Sequence, residues 1–122
     1  IGFRDTVSGL ENIKASLVLQ GLNQESAQAA LADVLDFVEL GDFIYQPVRN
    51  YSSGMRARLE FAVATVVRPD ILLIDEVLGA GDGYFRLKCA NRIRNILAGD
   101  CTLIMVSHAG ADIQEYCDEV LW

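Results

Sequence analysis

Two short apolar runs enclosing a helical stretch constrain this chain more than any other feature. Ile71-Leu72-Leu73-Ile74 closes on Asp75, and Thr102-Leu103-Ile104-Met105-Val106 closes on Ser107 and His108. Runs of this length read as strands, and a continuous apolar run is expected where both faces of a parallel sheet are covered. Residues 84–97 between them have helical character and stop before Gly99. The order strand, helix, strand is a βαβ unit, which places the chain in the α/β class. A short helix is expected over 111–116, and residues 119–122 are expected to begin a further strand.

Ahead of that unit the pattern is helical. Ser8 and Glu11 have the spacing of a capping box, which opens a helix over 9–20. Gly21 and Asn23 punctuate, with Asn23 as an N-cap. Ala27, Ala30, Leu31, Val34, Leu35 and Val38 then recur at amphipathic spacing up to about Gly41. Residues 43–50 contain Pro47 and no period, and read as a loop. Residues 53–67 are helical again, with Leu59, Ala62, Val63 and Val66 on one side and Arg68-Pro69-Asp70 closing the element. The expected organisation is a helical lobe over about 8–50, followed by residues 51–122 with the helix at 53–67 and the βαβ core.

The 122 residues suffice for one modest core, and 52% hydrophobic residues fit a chain that folds. Seventeen acidic residues against 10 basic ones give a net charge of −7, which disfavours a nucleic-acid backbone or an anionic lipid surface as partner. A single nucleotide remains compatible, because backbone N–H groups and a cation can hold a triphosphate on an acidic protein. Cys89, Cys101 and Cys117 are widely spaced, lack a C-x-x-C pair, and read as reduced thiols. No apolar run reaches the roughly 20 residues needed to span a bilayer. The start at Ile1 and the apolar Val120-Leu121-Trp122 ending look like cuts through a longer sequence.

Three segments offer chemistry. Asp75 and Glu76 follow a predicted strand at its carboxyl end, where open α/β sheets place ligands; Asp75 can orient Mg²⁺ and Glu76 can take a proton from an attacking water. Tyr51-Ser52-Ser53-Gly54-Met55 stands at a helix start, where free N–H groups and the helix dipole suit a phosphate. His108, the only histidine, ends the second predicted strand and can reach the same sheet edge as Glu76. Each segment also has a plain explanation in isolation: solvated acids ending a strand, ordinary capping residues, and a surface or core histidine.

Together and in this order, these segments resemble the ABC ATPase family. Residues 51–55 look like its signature, normally leucine-serine-glycine-glycine-glutamine, and residues 71–76 look like its Walker B strand followed by the catalytic glutamate. Gly79-Ala80-Gly81-Asp82 falls where the D-loop belongs, and His108 where the switch histidine sits. The resemblance covers nearly the whole chain. Within the family, Ser53-Gly54-Met55, Asp75-Glu76-Val77-Leu78 with Gly81-Asp82, Lys88-Cys89 before Arg92-Ile93, and Gly9-Leu10-Glu11-Asn12-Ile13 are most similar to exporters of polysaccharide, O-antigen and teichoic acid. Departures are Leu10 for arginine, Ser53 for glycine, Met55 for glutamine, and Gly79-Ala80 for alanine-valine.

The resemblance implies a partial P-loop NTPase fold using ATP and Mg²⁺, paired head to tail with a second nucleotide-binding subunit and docked on a transmembrane permease at the cytoplasmic face of the membrane. It implies that Ser52, Ser53 and Gly54 touch the partner's nucleotide, that Asp75 serves Mg²⁺ through water, and that Glu76 and His108 are catalytic. Asp82 would sit across the dimer seam. Arg56 and Arg58 carry no assigned role and read as a solvated helix face.

A phosphate loop needs G-x-x-x-x-G-K-[ST], and neither lysine of the chain, Lys14 or Lys88, is preceded by glycine. The chain by itself is therefore expected neither to bind ATP tightly nor to hydrolyse it. The strand over 102–106 is also expected to carry an open apolar edge that favours self-association. Two other readings compete. One is a non-enzymatic module whose lobe docks on a membrane or ATPase partner; the other is a DNA-repair type of ABC ATPase, disfavoured by the acidic charge and by the absence of heptads between 51 and 108.

Overall fold

A computed structural model describes residues 2–67, 69–75, 83–107 and 110–121. The chain divides into two compact units, Ile1–Val67 and Arg68–Trp122.

The first unit is built from three helices, α1 (Gly9–Leu19), α2 (Gln24–Val38) and α3 (Ser53–Val66). Each starts where a short polar side chain satisfies an orphan amide. Ser8 Oγ accepts from Glu11 N at 3.1 Å, Asn23 Oδ1 from Ser26 N at 2.8 Å, and Ser52 Oγ from Met55 N at 3.1 Å. Only the serine half of the expected capping box forms; the Glu11 side chain stays exposed. Helix α1 ends at a turn in which Gly21 takes a positive φ of 81°. Helix α2 stops earlier than the sequence pattern suggests, because Glu39 enters the left-handed region at φ 50° and breaks the ladder before Gly41.

Ile13 and Leu17 of α1, Val34 and Val38 of α2, and Leu59 and Ala62 of α3 meet in a fully buried core. Removing such a side chain from water stabilises the unit by about 1.5–3 kcal/mol each. The rings of Phe37 and Phe61 stack across α2 and α3 with centroids 5.8 Å apart. The buried Thr65 hydroxyl donates to Phe61 O at 2.7 Å, so it costs no unmet polar group. The stretch expected as a plain loop contains two 3-10 turns, Gly41–Tyr45 and Val48–Asn50, which bury Ile44 and Val48.

The residues before α1 are held by backbone hydrogen bonds to the 3-10 turns and the residues between them. Gly9 N donates to Gln46 O, Val48 N to Val7 O and Arg49 N to Asp5 O, at 3.2, 3.0 and 3.0 Å. Asn12, 4% exposed, fastens the same segment from inside. Its carboxamide accepts from Arg4 N and donates to Arg4 O, Val7 O and Ser8 O.

The second unit is the βαβ core: β1 (Ile71–Asp75), α4 (Gly83–Leu97) and β2 (Thr102–Val106), followed by α5 (Gly110–Tyr116). The strands are parallel, with Ile71 opposite Thr102 and Asp75 opposite Val106. Helix α4 buries Phe85, Cys89, Ile93 and Ile96, the stripe that a crossover helix turns toward its strands. Arg94 of α4 pairs with Glu115 of α5.

Two expectations need correction here. β1 is not covered on both faces: Leu72 and Ile74 are buried, whereas Ile71 and Leu73 are 60% and 72% exposed, as are Ile104 and Val106 beside them at 51% and 59%. A strand buried on both sides needs a layer on each side, and the described residues supply one. Residues 119–121 form no strand. Val120 and Leu121 are exposed, so their apolar character has no sheet to join.

Candidate functional site

The amino end of α3 carries the sequence-predicted signature. Ser52, as N-cap, takes an extended backbone at φ −66° and ψ 162° and turns the chain into the helix. Its hydroxyl oxygen is engaged by Met55 N and its carbonyl by Arg56 N at 3.0 Å. A serine hydroxyl that accepts from an amide keeps its own proton to donate. Ser52 and Ser53 are exposed, and the first-turn amides of Ser53 and Gly54 meet no acceptor among the described residues.

Gly54 is informative through what surrounds it. Its φ is not positive, and a Cβ built there would find only Ser52 Oγ, at 4.0 Å. Neither backbone conformation nor crowding within the chain requires glycine here. An alanine would fit and would favour the helix by roughly 0.5–1 kcal/mol.

The residues on both sides of this turn are anchored. Tyr51 donates its hydroxyl to Phe43 O at 3.0 Å and lies against the Phe43 ring with centroids 5.4 Å apart. Burial pushes its phenol above the ordinary value, partly offset by the neighbouring Gly9 backbone amide. Arg56 pairs with Asp5 at 2.7 Å and with Glu60, one turn along, at 3.2 Å. Arg58 donates to Val38 O at 3.4 Å. Both arginines thus bond within the first unit, and the Arg56 side chain still stands 37% exposed on the helix surface. Asp5 carries no sequence signal and Asn12 stands out only within the Gly9–Ile13 stretch, since the bonds of both depend on partners the local pattern does not reveal.

The acid and histidine segments belong to the second unit. The register sets the carboxyl ends of β1 and β2 side by side, with Asp75 opposite Val106. Glu76 follows that end by one residue and His108 by two. Glu76, Asp82 and His108 lie outside the described residues, as does the side chain of Asp75. Of the sequence-predicted site residues, the structure therefore brings together Ser52, Ser53 and Gly54 on one helix end. Among the described residues, no helix is long and apolar enough to cross a membrane.

Comparison with known proteins gives this arrangement a context. The sequence profile of the ABC transporter family matches residues 3–79. The chain is 44% identical over 121 residues to the teichoic acids export ATP-binding protein TagH of Levilactobacillus brevis, covering 99% of this chain and 34% of that protein. It is also 44% identical over 121 residues to the O-antigen export system ATP-binding protein RfbB of Klebsiella pneumoniae, covering 99% and 49% respectively. The chain thus spans about a third to a half of the length of these relatives.

Among solved structures, it superposes on the ATP-binding subunit of an ABC transporter with a TM-score of 0.87 at 19% identity, covering 96% of this chain and 49% of the other. A dimeric ATP-binding cassette in a post-hydrolysis state, bound to ADP and Pi, gives 0.72 at 21% identity, covering 90% and 50%. The α/β architecture is therefore that of part of an ABC ATPase, a P-loop NTPase fold. With a family profile matching more than half of its residues, the chain belongs to the ABC transporter family.

Proposed function

We propose that this chain is the signature-to-switch portion of a nucleotide-binding domain from an ABC exporter, whose whole form couples ATP hydrolysis to export of a polysaccharide or similar polymer. The observation that carries the reading is Gly54. A glycine unneeded by its own chain, beside first-turn amides that meet no acceptor among the described residues and a capping serine with a proton to give, suits a surface against which something else must come close. A phosphate suits such a helix end, and a Cβ built at Gly54 would meet only Ser52 Oγ, at 4.0 Å, so the chain's own side chains leave that side of the glycine open.

In this reading the chain pairs head to tail with a second nucleotide-binding subunit. Ser52, Ser53 and Gly54 close over the γ-phosphate of ATP held by the partner's phosphate loop. Asp75 serves Mg²⁺ through water, Glu76 takes the proton of the attacking water, His108 contacts the γ-phosphate and Asp82 lies at the dimer seam. Mg²⁺, when bound, neutralises charge developing on the phosphate oxygens. The dimeric ADP-bound relative and the export names of the curated relatives support this reading. A permease would hold the assembly at the cytoplasmic face of the membrane. The organisation we infer is a helical lobe over about 8–50, with the signature helix, Walker B strand, D-loop and switch strand over 51–122.

The test is ATP turnover. The 122-residue chain alone should show none, and steady hydrolysis by it, lost in Glu76→Gln, would overturn the assignment. In the full-length protein, Gly54→Asp should abolish turnover while leaving ATP binding intact, because the introduced carboxylate repels the phosphate presented by the other subunit. Turnover retained in Gly54→Asp would count equally against the reading.

A further inference from the structure

The exposed turn Ser52-Ser53-Gly54 is bracketed by Tyr51 and Arg56, and both are fastened to one short stretch of chain. Tyr51 packs its phenol on Gly9, where a Cβ would come within 3.1 Å of its Cζ and closer still to its hydroxyl oxygen. Arg56 reaches Asp5 across 51 residues of sequence at 2.7 Å. The stretch that receives both is tied down by hydrogen bonds. Asn12 makes four hydrogen bonds to its backbone, and three backbone hydrogen bonds join residues 5–9 to residues 46–49.

We propose that Asp5 and Gly9 are positioning residues for the signature turn: the pairs Asp5–Arg56 and Gly9–Tyr51 clamp it from both sides, so that its amides meet the partner's phosphate in one orientation. The proposal rests on residues 51–55 acting as the signature. The clamp answers a physical need. The first turn of a helix has amides without intrahelical acceptors and is prone to fray, whereas contact with a transferring phosphate rewards fixed donors. Inside the turn Ser52 supplies two ties, its hydroxyl to Met55 N and its carbonyl to Arg56 N, and the residues on either side supply the clamp.

The magnitude separates positioning from folding. The Asp5 and Arg56 side chains are 58% and 37% exposed, and an ion pair so open to water adds little to stability. Arg56 also keeps Glu60 when Asp5 is removed. The loss should therefore register in turnover rather than in unfolding.

The experiment measures ATP turnover in the full-length protein with Asp5→Ala, Arg56→Gln and the double variant. Each single change is expected to lower kcat about fivefold, near the upper end of what one exposed ion pair supplies, with KM for ATP held within about twofold. The double variant should be no worse than either single one, because both remove the same contact. Asp5→Glu should recover most of the loss, and thermal midpoints should stay together. An unchanged kcat, losses that multiply in the double variant, or a rise in KM alone would overturn the clamp. Gly54→Asp, run in parallel, separates the two ideas: if it also leaves kcat unchanged, the signature reading itself fails. If Gly54→Asp abolishes turnover and Asp5→Ala does not lower it, only the clamp fails.

Discussion

Tyr51 lies against Gly9 so closely that a methyl group at position 9 would overlap its hydroxyl oxygen and come within 3.2 Å of Ile44 Cδ1. Alanine is the better helix former, by up to about 1 kcal/mol, but overpacking a fixed neighbour costs about 1–3 kcal/mol. Tyr51 has little room to withdraw, since its hydroxyl is bonded to Phe43 O and its ring rests on Phe43. Gly9→Ala is therefore expected to lower the urea midpoint with an unchanged slope. Adding Tyr51→Phe, which deletes the colliding oxygen, should recover part of that loss.

The same tyrosine makes stability depend on alkaline pH. Burial raises the Tyr51 phenol above its ordinary 10.0, against a smaller opposing effect of the Gly9 backbone amide. Below that value the phenol is protonated in both states, and its contribution is complete. As pH climbs from 10 toward the raised folded value, the unfolded chain sheds the proton that the folded chain retains, so stability falls. Unfolding free energies measured from pH 8 to about 11 should decline more steeply for the parent than for Tyr51→Phe. Parallel curves would show that Tyr51 does not contribute.

Local features were legible in the sequence because their causes are local. Ser8, Asn23 and Ser52 were readable as caps, and each accepts the expected amide three residues on. The strand, helix, strand order also follows from two short apolar runs on either side of a longer helical stretch. What escaped depends on distant partners. Asp5 and Arg56 are 51 residues apart, so no window reveals that they bond. Apolar content alone cannot tell a strand covered on one face from one covered on both, and Leu73 reads the same either way. The helix-end half of the candidate site was visible for the same local reason as the caps, while Glu76, Asp82 and His108 rest on order along the chain.

Asn12 tests how far the segment before α1 depends on a single buried carboxamide. It is 4% exposed, and its oxygen and nitrogen serve the backbone of Arg4, Val7 and Ser8. Truncation to alanine removes these four bonds and leaves Arg4 N without its acceptor, while the Arg4, Val7 and Ser8 carbonyls keep Val7 N, Val48 N and Asn12 N as backbone donors. A loss of about 1–3 kcal/mol is expected. Asn12→Asp should cost as much or more, because a carboxylate cannot donate to the Arg4, Val7 and Ser8 carbonyls. Hydrogen exchange at the Arg4 and Val48 amides should quicken in both variants, and unaltered protection there would show that residues 4–8 are held by other means.

The exposed face of the β1–β2 pair bears on how the 122-residue chain behaves by itself. Ile71, Leu73, Ile104 and Val106 stand on neighbouring strands, each more than half exposed, and together form an apolar patch of the kind that soluble monomers seldom leave open. Among the described residues β2 also pairs only with β1, which leaves a row of backbone donors and acceptors without a strand beside it. Both features favour association of one chain with another. Sedimentation velocity over a concentration series should show a rising average mass, and Leu73→Lys with Ile104→Lys should suppress it. Because neither side chain is packed, the paired substitution should change unfolding free energy by about 1 kcal/mol or less. A chain that stays monomeric before substitution would show that neither the face nor the edge is sticky. Association that survives the lysines would move the contact from the sheet face to the open edge of β2.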